Sequence, residues 1–197
     1  MQRLPVDVRS LVTGAWIEIE IGPGRGGFVF ERAAAAPEAA LVGFEIRRKW
    51  ATIVDRRLAA HGLGKRTRVF SEDAKSALPR LNPDASVRRF FMHFPDPWWK
   101  KRHEKRLVMG DVLLDAIVRL LEPGGEFFVQ TDVEERADQY EAMISDHPGF
   151  VAMGDGSVSP TSARLAENPY AARSPREHRA IADGIPVHRI RYTKKPS

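Results

Sequence analysis

Segments with the alternating apolar pattern of β-strands take turns with segments of helical spacing along most of this 197-residue chain. The predicted strands cover residues 16–21, 40–45, 67–70, 87–94 and 126–131, and a last alternating segment at 186–192 predicts a terminal, edge strand. The predicted helices cover residues 28–36, 47–60, 74–81, 107–121 and 133–145. Strands and helices that alternate in this way pack as a mainly parallel sheet with helices on both faces. The sequence therefore predicts an α/β fold.

The domain organisation follows from the length and from the position of the irregular segments. A chain of 197 residues with 43% hydrophobic residues predicts one domain with a sizeable core. Residues 1–15 precede the first strand as a short N-terminal segment. Residues 154–180 begin with a stretch rich in Gly, Ser, Pro and Ala, which predicts a mobile loop that a substrate could order.

Composition excludes several classes of site. The chain has no cysteine, so disulfides, thiolate metal sites and a cysteine nucleophile are excluded, and we expect no metal. Nothing near the N-terminus resembles a signal peptide, and no apolar run approaches the ~20 residues of a membrane span. We therefore expect a cytoplasmic protein without a membrane partner.

Positive charge is concentrated in two segments. Residues 100–106 hold five basic residues and one acidic residue, and residues 173–195 hold seven basic and two acidic residues. The remainder of the chain has more acidic than basic residues, although the net charge of the whole chain is +5. Local basic patches on a mildly acidic body predict contact with a polyanion, and solvated surface loops are the alternative.

The first strand ends in the glycine turn EIGPGRGG, at the sheet edge where parallel α/β proteins bind nucleotide-type ligands. Gly22, Gly24 and Gly27 satisfy the dinucleotide pattern, whereas Gly22, Gly24 and Gly26 satisfy the pattern of S-adenosylmethionine methyltransferases. Glu20 favours the second, because a carboxylate attracts an ammonium group and repels a pyrophosphate. An NAD-dependent oxidoreductase stays open as the alternative.

Two further acidic residues follow the next two strands. Glu45 ends the second strand, where a carboxylate can accept hydrogen bonds from the ribose hydroxyls of either cofactor. Asp73 follows the third strand and could accept a hydrogen bond from an adenine amino group. Asp73 is equally well placed to cap the helix that begins at residue 74, and both roles can hold together.

The fourth strand leads into HFPDPWWKKRHEKR, residues 93–106. Prolines on both sides of Asp96 restrict its backbone, so its carboxylate is held at the same sheet edge as the glycine turn. Trp98 could stack on a base. His93 lies on the apolar strand and is predicted to be a satisfied core histidine. The basic residues that follow predict a phosphate clamp and are Lys100, Lys101, Arg102, Lys105 and Arg106.

The motifs EIGPGRG, GFE, FPDPWWKKRHEKR and TDVEE together resemble the tRNA (guanine-N7)-methyltransferase family from residue 16 to residue 192. The resemblance implies a Rossmann-like class I fold and methyl transfer from S-adenosylmethionine to N7 of guanine 46 in tRNA. It implies that Glu20, Glu45, Asp73 and Asp96 line the cofactor and reaction site. It also implies that Lys100 and Asp132 meet the guanine, with Ser174, Arg176 and Glu177 beside them, and that Arg102, His103, Lys105 and Arg106 lie on the RNA.

A second alternative is an RNA-binding module that keeps the fold without the activity. Trp99, Val133 and Pro175 depart from the residues usual in the family and motivate this alternative. With tRNA as its partner, the enzyme would be a monomer or homodimer. If the chain is bacterial, we expect no obligatory partner subunit.

Overall fold

One large sheet organises the computed structural model, which describes residues 4–95 and 109–196. The strands are β1 (Val6–Asp7), β2 (Trp16–Ile21), β3 (Ala39–Phe44), β4 (Thr67–Phe70), β5 (Leu81–Asn82), β6 (Val87–His93), β7 (Leu121–Thr131), β8 (Phe150–Ala152), β9 (Arg164–Leu165) and β10 (His188–Lys194). The helices are α1 (Gly27–Ala35), α2 (Arg48–Ala60), α3 (Ala74–Ala77), α4 (Asp111–Leu120), α5 (Glu134–Ser145) and α6 (Pro175–Ala182). No helix in this described part is long and apolar enough to cross a bilayer.

The strand order of the sheet is β4-β3-β2-β6-β7-β10-β8, and β9 pairs with β10 beside that path. The five strands from β4 to β7 are parallel, and β10 runs antiparallel to both of its neighbours, β7 and β8. From β2 the chain goes to β3 on one side and later returns to β6 on the other. This reversal opens a crevice at the carboxyl ends of β2 and β6, where α/β sheets bind ligands.

The predicted parallel sheet and its strands are confirmed, but two predictions about the chain's last third are wrong. The terminal strand is not at an edge, because the short strands β8 and β9 pair along its outer side. The segment 154–180 is not a loop throughout, since it contains β9 and most of α6. Both strands are too short to show a periodic pattern in the sequence. Only their pairing with β10 identifies them as strands.

The two faces of the sheet have different chemistry. On one face, isoleucine, valine and phenylalanine side chains pack against α3, α4 and α5; the core there includes Ile19, Val42, Phe90, Leu114, Ile117, Val129 and Ile190. Helix α4 contributes because its buried positions, Leu113, Leu114, Ile117 and Leu120, follow helical spacing. The opposite face is covered by α1, α2 and the 164–182 segment and carries most of the polar residues described below.

Candidate active site

The glycine turn lies in the crevice between β2 and α1. Gly22, Gly24 and Gly26 have φ angles of +73°, +55° and +78°, which side chains rarely adopt. A Cβ on Gly26 would lie 2.5 Å from Cγ1 of Val54, so glycine lets the turn pack directly on α2. A Cβ on Gly22 would meet no described heavy atom within 4 Å. The turn is thus closed towards the protein and open at Gly22, as a cradle for a ligand requires.

Glu45 holds this turn in place. Its buried carboxylate accepts a hydrogen bond from the backbone N–H of Gly24 at 2.8 Å. The other oxygen accepts from the backbone N–H of Arg47 at 2.8 Å and from Arg47 Nε at 3.0 Å. The end of β3 is therefore tied to the turn after β2, which places Glu45 beside the cradle as the sequence predicts.

Glu20 and His93 form the floor of the crevice at the ends of β2 and β6. His93 Nδ1 lies 3.0 Å from Glu20 Oε1, and both side chains are buried. Within the described residues, Glu20 Oε2, His93 Nε2 and both amide atoms of Gln130 are buried without a hydrogen-bond partner. His93 is a core histidine as predicted, but only one of its two nitrogens is satisfied. Unpaired buried polar atoms are costly, so this cluster is where a polar ligand group would be stabilised.

Asp73 lies at the carboxyl end of β4, where it caps α3. Its Oδ1 accepts a hydrogen bond from the backbone N–H of Lys75 at 2.9 Å. The capping interpretation is therefore confirmed. The second interpretation, a contact with adenine, stays a prediction.

Asp132 directly follows β7 and forms an ion pair with Arg176 of α6. Arg176 Nε donates to Asp132 Oδ2 at 2.8 Å, and Nη2 donates to the same oxygen. Neither hydrogen bond from Arg176 uses Oδ1 of Asp132. Two predicted substrate residues that are 44 positions apart in the chain are thus brought together at the sheet edge.

The first turn of α6 packs on the start of α1. Pro175 Cγ would lie 2.1 Å from a Cβ on Gly27, which leaves room for a hydrogen atom only. Glu31 of α1 accepts from the backbone N–H of Arg173 at 2.8 Å and pairs with His178 at 2.7 Å. These contacts place Arg176 within the crevice that the glycine turn borders.

Ser174 and Glu177 have structural partners in this arrangement. Ser174 caps α6 by accepting from the backbone N–H of Glu177 at 3.2 Å. The Glu177 carboxylate is fully buried and accepts from Arg189 Nη2 at 3.0 Å and from Asn168 Nδ2 at 2.9 Å. Of the three predicted substrate residues on this segment, only Arg176 is exposed enough to reach a substrate without rearrangement.

The remaining predicted site residues lie outside the described residues. They are Asp96 with the neighbouring Trp98, and the basic residues Lys100, Lys101, Arg102, His103, Lys105 and Arg106. Pro95 is the last described residue before them, and it follows β6 at the same sheet edge as Glu20 and Asp132.

A buried ion network beneath the crevice escaped the sequence analysis. Glu18 is fully buried; Arg32 donates to it from Nε and Nη2, each at 2.8 Å, and Arg89 donates at 2.9 Å. Burial alone would raise the pKa of Glu18, but the hydrogen bonds and charge of Arg32, with those of Arg89, outweigh burial and lower it. Arg89 also donates to Glu126 at 2.8 Å, and Tyr170 joins the network by donating to Glu126 at 3.0 Å. The network seats the 164–177 segment on the sheet.

The crevice fits the cofactor that the resemblance implies. S-adenosylmethionine carries an ammonium group, and the unpartnered Glu20 Oε2 is a buried acceptor at the carboxyl end of β2. The ribose hydroxyls of the cofactor need hydrogen-bond acceptors, which the Glu45 carboxylate provides. The ligand must also come close to the backbone, and Gly22 leaves the space for it. A pyrophosphate would instead meet the Glu20 carboxylate, so the nicotinamide dinucleotide fits this floor less well.

Comparisons with known proteins agree with this geometry. A family described as "Putative methyltransferase" matches residues 15–187. The chain is 39% identical to a tRNA (guanine-N(7)-)-methyltransferase of Anaeromyxobacter dehalogenans over 92% of this chain and 87% of the relative. It is 35% identical to one of Myxococcus xanthus over 90% and 83%. The NAD-dependent oxidoreductase alternative gains no support from these matches.

Solved structures share the fold at low identity. The structure of the 16S rRNA methyltransferase KamB matches with a TM-score of 0.61 and 16% identity, over 95% of this chain and 91% of that chain. TrmN from Thermus thermophilus matches with a TM-score of 0.61 and 18% identity, over 92% of this chain and 45% of that chain. The predicted Rossmann-like methyltransferase fold is confirmed.

Proposed function

Because the chain belongs to the tRNA (guanine-N7)-methyltransferase family, we propose that it transfers a methyl group from S-adenosylmethionine to N7 of guanine 46 in the variable loop of tRNA. The relatives' names support tRNA and guanine N7, and position 46 is the narrower part of the proposal. One observation supports it above others. The glycine cradle with its buried acceptor Glu20 and the Asp132–Arg176 pair border one crevice, joined by the packing of Pro175 on Gly27.

The chain's own residues have limited chemistry to perform in this reaction. S-adenosylmethionine, when bound, supplies an electrophilic methyl group. Guanine N7 carries a free lone pair and no proton, so its attack needs no general base. Glu20 accepts from the ammonium group of the cofactor and Glu45 from its ribose, which fixes the methyl donor in the cradle. Catalysis then rests on alignment of the two reactants.

Asp132 is the described residue best placed to orient the guanine. Both hydrogen bonds from Arg176 go to Oδ2, so Oδ1 can accept from N1–H or from the exocyclic amine of guanine. A carboxylate at that position also stabilises the positive charge that develops on the ring when N7 is methylated. At that edge adenine has an acceptor at N1 and no amine on C2, so it could not satisfy the same carboxylate. Asp96 and Lys100, which lie outside the described residues, share this role in the proposal.

The test is methyl transfer to a defined atom. The purified protein is incubated with labelled S-adenosylmethionine and an unmodified tRNA transcript. A second transcript carries 7-deazaguanine at position 46 and lacks the accepting nitrogen. Label in the first transcript and none in the second is the expected result. Equal label in both would exclude position 46 as the target. No label in either transcript, while the protein binds the cofactor and tRNA, would favour the RNA-binding module that has lost activity.

A further inference from the structure

Helix α2 and the turn after it form a third basic segment, in addition to residues 100–106 and 173–195. Residues 47–68 contain eight basic residues and one acidic residue. The acidic residue, Asp55, is already used, because Arg68 pairs with it at 2.8 Å and the backbone N–H of Val69 donates to it at 3.0 Å. The positive charge on the exposed side of α2 is therefore not neutralised within its own segment.

The burial pattern of α2 separates its two sides. Ala51, Val54 and Leu58 face the sheet and are buried. Lys49 and Arg56 lie on the opposite side, seven residues or about 10 Å apart along the helix axis. Arg48 and Arg57 flank them, and all four are exposed. We name these four residues the α2 basic surface. Across residues 4–95 and 109–196, none of the four forms an ion pair.

Aromatic rings border this surface and connect it with the active site. Arg25, within the glycine turn, stacks 4.6 Å from the ring centre of Trp50, and the Lys49 ammonium lies 5.7 Å from the same ring. Arg57 stacks 4.9 Å from the ring of Phe30. A guanidinium that lies on a ring keeps its N–H edges available for a phosphate. The positive surface thus extends from the turn of the cofactor cradle along α2.

We propose that the α2 basic surface docks a stretch of the phosphate backbone of the tRNA substrate away from the methylated loop. This inference rests on the proposed function, which supplies a polyanion of that size at the adjacent crevice. Unpaired exposed cations at helical spacing suit phosphates, which position RNA without reading its sequence. An anionic membrane is the less suitable partner, because Ile53 is the only exposed large apolar residue described on α2.

The test compares two double variants with the same change in net charge. Lys49→Glu/Arg56→Glu reverses the centre of the α2 basic surface. Arg9→Glu/Lys65→Glu reverses one arginine and one lysine, both exposed and outside the α2 basic surface, near the amino ends of β2 and β4 and away from the crevice. Binding of unmodified tRNA is measured by filter binding between 50 and 300 mM salt. Binding of S-adenosylhomocysteine, measured by calorimetry, reports on the fold and the cofactor site in each variant.

We expect the α2 variant to bind tRNA at least ten-fold more weakly than wild type at about 0.1 M salt, with a shallower dependence of affinity on salt. The control variant should stay within about three-fold, and both should bind S-adenosylhomocysteine like wild type. Equal tRNA affinity of the two variants would overturn the inference. So would binding to phosphatidylserine vesicles that only the α2 variant loses, with tRNA binding unchanged.

Failure of the proposed function is a separate result. If wild type binds tRNA through α2 but transfers no methyl group, the proposed docking surface is supported and the proposed activity is excluded. If wild type methylates tRNA and the α2 variant binds tRNA as tightly as the control variant does, the proposed activity is supported and the proposed docking surface is excluded. If wild type does not bind tRNA, both are overturned.

Discussion

His93 donates a hydrogen bond from Nδ1 to Oε1 of Glu20, 3.0 Å away, across the ends of two neighbouring strands. A carboxylate oxygen accepts hydrogen bonds, so this contact assigns the ring proton to Nδ1. The ring of His93 is itself fixed by Phe28, whose centre lies 4.1 Å away. The acceptor Oε2 of Glu20 is thereby held at the floor of the cofactor crevice, and His93 acts as a positioning residue.

This relationship predicts different effects for two substitutions at position 93. Asparagine places its amide N–H where Nδ1 lies and should keep the bond to Glu20, whereas leucine removes the donor. We expect His93→Leu to weaken S-adenosylhomocysteine binding about ten-fold, or about 1.4 kcal/mol, and His93→Asn to stay within about three-fold. Calorimetric titration, with the melting temperature of each variant, checks this. Equal losses in the two variants would show that the donor is not what matters.

The contact between Gly27 and Pro175 predicts a strong steric effect. Gly27→Ala would drive a Cβ into the proline ring and should cost about 1–3 kcal/mol of stability. Gly27→Ala/Pro175→Ala removes the ring and should recover most of the loss. Gly110→Ala is the matched control, because a Cβ there meets no described atom within 4 Å and its φ of 167° is extended. Denaturant unfolding measures all three. A double variant no more stable than Gly27→Ala would refute the steric explanation.

Glu18 predicts a pH-dependent contribution to stability. Its pKa is lowered in the folded protein, so its contribution is fully present above the ordinary carboxyl value of 4.5 and is lost as pH falls through the lowered folded value. Glu18→Gln breaks the buried pairs with Arg32 and Arg89 and should cost about 3 kcal/mol at pH 7. Below pH 4.5 the two proteins should converge. A stability difference that stays constant from pH 7 to pH 3 would contradict this prediction.

The Asp132–Arg176 pair predicts a defect in substrate handling rather than in cofactor binding. Arg176→Ala frees the Asp132 carboxylate, and we expect kcat/KM for tRNA to fall about 10- to 100-fold with unchanged affinity for S-adenosylhomocysteine. Arg176→Lys should recover little, because lysine cannot donate from two fixed nitrogens. His178→Ala, on the same helix, removes an exposed pair with Glu31 and should change kcat/KM by less than about three-fold. Comparable losses in His178→Ala would assign the effect to the docking of α6.

Much of the fold was predictable because it depends on near neighbours in the chain. The strand of residues 16–21 and the glycines after it specify a strand and a turn through local periodicity and backbone freedom. The cap at Asp73 likewise involves a backbone N–H only two residues away. Because parallel strands end at one edge, the sequence also predicted that Glu20 and Glu45 would lie near one another, and the family resemblance added Asp132 to this site.

The tertiary structure alone decided which of these residues bond to each other. His93 reaches Glu20 across 73 positions, and Arg176 reaches Asp132 across 44. The first pair depends on strand order and on register, because a shift of one residue would turn a strand side chain to the other face of the sheet, and the second depends on the packing of α6. The close approach of α6 to α1 also requires the missing Cβ at Gly27. Local pattern thus determined the elements and the kind of site, whereas long-range packing determined its floor, its ion pairs and the exposed basic side of α2.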